Sequence, residues 1–462
     1  MLTTQKKALT TQKKATAGQG GTITRLAVAT LASGLIMQPA LGRDQNEIAK
    51  QPQSMPDMFT AMANDTTIDL GLRNFYFNRD FRDKSTDNRG NTLPGTAESW
   101  SQGARVDLQS GYFADIIGFD ASWFGALKLI GEDDKFGSGA LRQKSSKVKN
   151  GKVVANQESY DKIGQAYLKA RFGDDNINAH LKAGRMLLDT PLLNDSNSRT
   201  TPSSTQGILA ELEVYKLGFY GIFSDKASGK TESGFHSYKN ANGDTWNVGI
   251  LGASFALENG LAFHAATGKA DKYIKQNFLN GSYTLDLGSK TALLLDGYYQ
   301  TSKDDGRYYD GKLDSKLWNL ASRLSFDNLS FMLSFQSVIG DSFDYCWDGC
   351  NHDDNGLITW NAVQYLDFNK KNEKSWQSRV DYSFDNWGIP GLSIMARYVT
   401  GEFKDTKKVS EWERNTDLRY TFKNGTLEGL AITWRNATVR SATKGNSIDE
   451  NRLIIDYTIP LI

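Results

Sequence analysis

The sequence predicts an all-β fold: a transmembrane antiparallel β-barrel of about 18 strands with an inward-folded constriction loop. Three observations point there. First, the 462 residues are only 39% hydrophobic with a mean hydropathy of −0.50, yet aromatics reach 11%, with 43 Gly and 8 Pro. That profile suits strands with one wet and one apolar face better than a helical bundle. Second, segments of roughly ten residues alternate polar and apolar side chains, as membrane-spanning strands do. Third, the connections between them alternate long and short. A soluble sandwich or propeller predicts no such asymmetry.

The N-terminus lies outside the predicted barrel. Lys6, Lys7, Lys13, Lys14 and Arg25 precede the apolar run Leu26–Met37, and Ala40-Leu41-Gly42 supplies small residues before a cleavage point. Residues 1–42 therefore read as a secretory signal peptide, too short for a membrane helix. Its basic region is long and repeats LTTQKK, the pattern expected if translation begins downstream of Met1. Removing it takes five basic groups and no acid from 54 Lys+Arg and 53 Asp+Glu, leaving 49 against 53 and a net charge of −4. No basic excess remains to suggest nucleic acid. Residues 43–65 have no clear period and read as a periplasmic lead-in, with the barrel over 66–462.

No later stretch approaches 18 consecutive apolar residues, so no membrane helix is predicted. The alternating segments are 66–81, 99–112, 116–131, 161–172, 177–187, 207–215, 217–225, 244–256, 259–269, 277–285, 289–302, 315–326, 328–338, 372–385, 391–401, 411–421, 428–441 and 449–460. In WQSRVDYSF, Trp376, Ser378, Val380, Tyr382 and Phe384 share one face, and Gln377, Arg379 and Asp381 the other. Connections 82–98, 132–160, 188–206, 226–243, 303–314 and 339–371 are long, whereas YFAD, GDDN, LENG, FDN and DNWGIPG are short. An even strand count puts both termini on the short-turn, periplasmic side.

The long connection Asp189–Gly207, DTPLLNDSNSRTTPSSTQG, is polar and cannot build a core of its own. Folded into a lumen it would narrow it, offering Asp189, Asn194, Asp195, Ser196, Asn197 and Arg199. Cys346 and Cys350, in DYCWDGCNHDD, read in an exported protein as a small disulfide clip on a loop. The alternative, a metal site using His352, Asp353 and Asp354, is not needed to explain the pair. We expect neither metal nor cofactor.

Strand parity turns Arg73, Arg79, Arg105, Lys169, Arg171, Lys182, Arg323, Arg379, Arg397 and Arg435 toward the lumen. Asp107, Glu211, Glu213 and Asp381 share that face, so the pore is mixed rather than uniformly basic. Each arginine could equally be a wall residue paired with an acid. Phe75, Phe77 and Tyr167 could stack on aromatic or sugar rings. That parity leaves Asn74 and Asn78 facing lipid unless a bulge intervenes.

The motifs RNFYFNRDF (73–81), WSQGARVDLQSGYF (100–113), GRMLLDTPLLNDSNSR (184–199), SWQSRVDYSFDNWGIPGLSIMARYVTG (375–401), EWERNTDLRY (411–420), WRNATVRS (434–441) and ENRLIIDYTIPLI (450–462) resemble the OprD family of substrate-specific porins. The resemblance covers nearly all of the chain after residue 42. It implies an eighteen-strand barrel in the outer membrane of a Gram-negative bacterium, passing small solutes, often carboxylates, along a ladder of basic side chains. Chitoporin-like members pass sugars. By the family pattern Arg73, Arg79, Arg379, Arg397 and Arg435 belong to the ladder. Thr433 stands where basic-ladder members are expected to carry an arginine, which removes one rung. The expected partners are outer-membrane lipid and lipopolysaccharide and small solutes, with the chain a monomer or homotrimer. Four histidines and no strand-to-helix nucleophile turn give no catalytic set, so an enzyme is not predicted. Residues 43–64 are too few for the plug of an energised receptor.

Overall fold

The computed structural model describes residues 55–462 apart from 84–85, 88, 133–134, 240–242, 307–310, 353, 405–407 and 444. The expected signal peptide lies outside these residues, as does Asp353. Each of the eighteen predicted segments corresponds to a strand. Each strand pairs antiparallel with the next, and the first (Thr67–Phe81) pairs with the last (Ile448–Pro460) from Asp69↔Pro460 to Phe81↔Ile448. The sheet is therefore closed, and every strand edge is satisfied by a neighbour, as backbone in hydrocarbon requires. Among the described residues no helix is long and apolar enough to cross a membrane.

Alternation sorts the side chains. Leu168, Leu251, Leu333 and Trp376 are among the large apolar residues left exposed on the outer face, while Gln377, Asn319 and Gln336 on the opposite parity are buried inside. Short turns close one end: Tyr215-Lys216 and Ser289-Lys290 are two-residue connections. Ser289 and Lys290 both take positive φ (47° and 62°), the mirror-image turn whose twist matches paired strands.

Three local expectations are corrected. The lead-in is helical over Met55–Asn64, with Phe59 packed 4.7 Å from the Phe113 ring and Thr66 Oγ1 accepting from the Gly111 N–H. The segment 244–256 is broken: Thr245–Trp246 pairs with His236–Lys239 in a loop hairpin, and the barrel strand starts at Val248. No bulge interrupts the first strand, whose register with both neighbours is continuous. Asn74 is accommodated outside because its amide donates to Gln102 Oε1 and its oxygen accepts from the Trp100 indole.

Candidate functional site

The connections 187–203 and 341–373 on the long-loop side fold into the barrel. The connection between Ile177–Met186 and Ser204–Val214 is the expected inward loop, spanning residues 187–203. Glycines pinch its base: Gly184 (φ 136°) faces Gly207, where a Cβ would lie 2.0 Å from the Phe223 carbonyl oxygen. Gly103 on the far wall makes room for its tip, since a Cβ there would stand 2.9 Å from the Thr200 methyl. Thr200 also bonds Ser101 Oγ (2.6 Å) and donates to the Ala140 carbonyl (2.8 Å), tying the loop to the second strand and to the loop that follows residue 130.

The loop is less polar than its sequence suggested. Leu188, Leu192 and Leu193 are buried in the main apolar cluster of the lumen with Trp347 and Trp360. Wall side chains such as Leu209, Tyr220, Ile250 and Phe278 supply most of that cluster, and Trp347 and Trp360 bring to it the connection 341–373, whose inward fold was not anticipated. Trp347 is fully buried, donates its indole N–H to the Leu192 carbonyl (2.6 Å) and accepts from Trp246 Nε1 at its own carbonyl (2.7 Å). Asn194 donates to the Gly356 carbonyl and accepts from its N–H, while Asn355 donates to the Leu192 carbonyl. Trp360 Nε1 reaches Asp296 on the wall (2.7 Å). The apolar run through Leu357, Trp360, Leu366 and Phe368 was the available signal. Cys346 and Cys350 are bonded, with Cα atoms 5.2 Å apart.

Most loop polar groups are spent locally. Asp195 accepts from the Leu188 N–H (2.8 Å), Ser203 Oγ (3.0 Å) and Thr205 Oγ1 (3.4 Å); burial pushes its carboxyl up to about 6. Ser196 bonds Ser203 and Ser198, whereas Asp189 meets Asn194 only through a backbone bridge and keeps its side chain exposed. Arg199 donates to the Ser138 carbonyl and lies 5.3 Å over the Phe77 ring. Asn197 is gripped by Arg73, which donates to its side-chain oxygen (2.8 Å) and to the Arg199 carbonyl (2.7 Å). Arg73 thus holds the loop instead of facing it across open lumen.

The arginines of the barrel wall fall into a register. One hydrogen-bonded row carries Arg323, Arg379, Arg397 and, across the seam, Arg79. Two residues nearer the short turns, the next row carries Arg435 opposite Arg452. Arg419 and Thr433 occupy the third row, Arg73 the fourth and Arg105 the fifth. Each step is about 6.6 Å along the strand.

Acids partner most rungs. Arg73 pairs with Asp456 (2.7 Å), Arg79 and Arg452 with Glu450, Arg105 with Asp107, and Arg435 with Asp417 (2.8 Å). Arg379 pairs in fork geometry with Asp381 (2.8 and 2.6 Å), to which Arg323 adds a 3.5 Å contact. Two differ: Arg397 donates to Asn415 Oδ1 (2.7 Å) and Arg419 to Thr433 Oγ1 (3.0 Å), and neither has an ion-pair partner among the described residues. Arg435 is the most open of the ion-paired arginines of the wall, with 36% of its side chain exposed.

Lys169, Arg171 and Lys182 lie apart from this wall, on strands Tyr160–Gly173 and Ile177–Met186. Lys169 pairs with Asp120, Arg171 with Asp115, and both cations stand over the Tyr112 ring; Lys182 stands 5.9 Å over Tyr167. Glu213 accepts from Asn178, and Glu211 faces His180 and Tyr220 in register. The aromatic track is corrected: Phe75 and Phe77 are 1% and 0% exposed, and Tyr167 donates its hydroxyl to Asp120.

Sequence reasoning missed Arg419, Arg452 and Lys162. Alternation could have found the first two, since Arg419 shares parity with Asn415 and Asp417, and Arg452 with Glu450 and Asp456. Lys162 was hidden by a register shift in its pairing with the third strand (Ile117–Ile130), which turns it inward to donate to Ser228 and the Gly229 carbonyl.

A closed eighteen-strand barrel whose lumen is narrowed by its own loops and walled by charged side chains defines a porin. The chain matches the family described as outer membrane porin, OprD family, over residues 61–461, and belongs to it. Its family is one of outer-membrane, substrate-specific channels, which agrees with the resemblance in the sequence. It is 30% identical over 426 residues to Porin D of Pseudomonas aeruginosa, covering 86% of this chain and 91% of that protein. Chitoporin of Escherichia coli is more distant, 25% identical with 80% of each chain covered. Among solved structures, OccK9 (OpdG) of Pseudomonas aeruginosa and a BenF-like porin from Pseudomonas fluorescens each superpose with a TM-score of 0.74 at 26% identity, over 87% of this chain and 100% of theirs.

Proposed function

We propose that this porin conducts small polar solutes bearing a carboxylate, such as organic acids or amino acids, passively along the arginine wall. The observation that carries this reading is the staircase of rows from Arg379 and Arg397 through Arg435 and Arg419 to Arg73. Guanidinium suits carboxylate because its planar fork can pair both oxygens while staying charged. Arg397 and Arg419 donate to neutral acceptors and have no ion-pair partner among the described residues, so they carry the positive potential that the acids leave least compensated. Arg435, although paired with Asp417, keeps 36% of its side chain open to a solute. Arg419, bonded to Thr433, stands beside the position of the missing rung. Paired acids elsewhere keep binding weak enough for release, as conduction requires. The fold and family support a channel over an enzyme.

The test is reconstitution in planar bilayers with titration of solutes. Carboxylates and amino acids are expected to block current in a concentration-dependent way, and the block to fade in Arg397→Ala and Arg435→Ala. Block by neutral chito-oligosaccharides alone would overturn the carboxylate reading and favour sugar uptake.

A further inference from the structure

We propose that Glu232, His236 and His352 form a binding site for a divalent transition-metal ion of the zinc or copper class, joining the loop after residue 228 to the inward loop 341–373. One ligand atom from each residue lies within 4.8 Å of the other two. Donors bound to zinc at about 2.0–2.2 Å stand some 3–4 Å from one another, so small side-chain rotations close the shell. Two imidazoles and one carboxylate are the borderline N/O donors these metals prefer, and three protein ligands leave a position for water.

The three groups are held before any ion arrives. Glu232 Oε2 accepts the Gly229 N–H (2.7 Å), and its Oε1 stands 2.7 Å from His352 Nδ1. The Asp348 carboxylate accepts from the backbone N–H groups of Asn351 (2.8 Å) and His352 (3.1 Å), one residue past the disulfide turn Cys346–Cys350. His236 opens the strand His236–Lys239, in register with Ala227, and its ring stacks on that of His352 at 4.5 Å. These contacts fix where the carboxylate and the two rings lie. The cations nearby are engaged: Lys230 pairs with Asp354 (2.6 Å), and Arg142 contacts Ser233 and Glu158. His236 is exposed, so the site is open to solvent.

The experiment uses the full-length chain in detergent micelles, stripped with EDTA and titrated with zinc chloride by calorimetry. One saturable site is expected, weakened at least about tenfold by His236→Ala or Glu232→Gln and lost in the His236→Ala/His352→Ala double variant. Unchanged metal-free conductance in the variants will show that the barrel is intact. Zinc should also slow hydrogen exchange in 229–239 and 346–356 together, in the wild type only. Zinc uptake equal in wild type and double variant, or no saturable uptake, would overturn the proposal and leave the cluster a hydrogen-bonded clasp between loops.

Discussion

Glu450 has no exposed surface and receives both Arg79 and Arg452, with Gln364 donating to the same carboxylate. Two guanidiniums would be left facing each other without it. Removing one partner of a buried ion pair costs about 3–5 kcal/mol, because the remaining charge stays desolvated. Glu450→Ala should therefore lower the midpoint of urea unfolding in micelles, and Glu450→Gln, which keeps the volume, should lower it nearly as much. An unchanged midpoint would mean that water or a pore anion replaces the carboxylate. The same residue shows how far alternation reads: Glu450 and Arg452 share one parity in ENRLIIDY, but that they meet Arg79 is a fact of barrel closure.

At the scale of elements, the loops 187–203 and 341–373 behave as one inserted unit. Trp347 is its pin, wedged where a Cβ on Gly268 would come within 2.8 Å of its ring and bonded at both its indole and its carbonyl. Trp347→Ala should cost the insert about 3–5 kcal/mol of local stability. Hydrogen exchange should then quicken in both loops together while the strands stay protected, and single-channel current should become noisier. Faster exchange in 341–373 alone would separate the two loops. Composition made the first loop legible as an insert, since a polar, proline-containing run beside alternating strands has few other places to rest. The second was legible only as a long connection, because its mixture of aromatics with aspartates and asparagines suits an external loop as well as an inserted one until something buries it.

For the whole molecule, the decisive contact is the seam between Thr67–Phe81 and Ile448–Pro460, reinforced by Arg73–Asp456 and Arg79–Glu450. Open strand edges cannot be satisfied in hydrocarbon, so closure is all or none. A chain ending at Ser441, which lacks the last strand, should fail to reach the heat-modifiable, compact form in detergent gel electrophoresis, while the full chain reaches it. A compact truncated form would mean that seventeen strands can close on themselves.

Strand number, the placement of long and short connections, and the inward parity of Arg379, Arg397 and Arg435 were all determined by the sequence alone. The physical reason is that a two-residue period in a wet-and-apolar wall is written locally. What only the tertiary structure decided depends on which strands meet: the rows that align the arginines, the acids that compensate them, and the burial of Phe75 and Phe77. The register shift that turns Lys162 inward and the folding of loop 341–373 into the lumen belong to the same class. These are contacts between residues up to 383 positions apart, as for Arg73 and Asp456, and no local pattern encodes a partner at that distance.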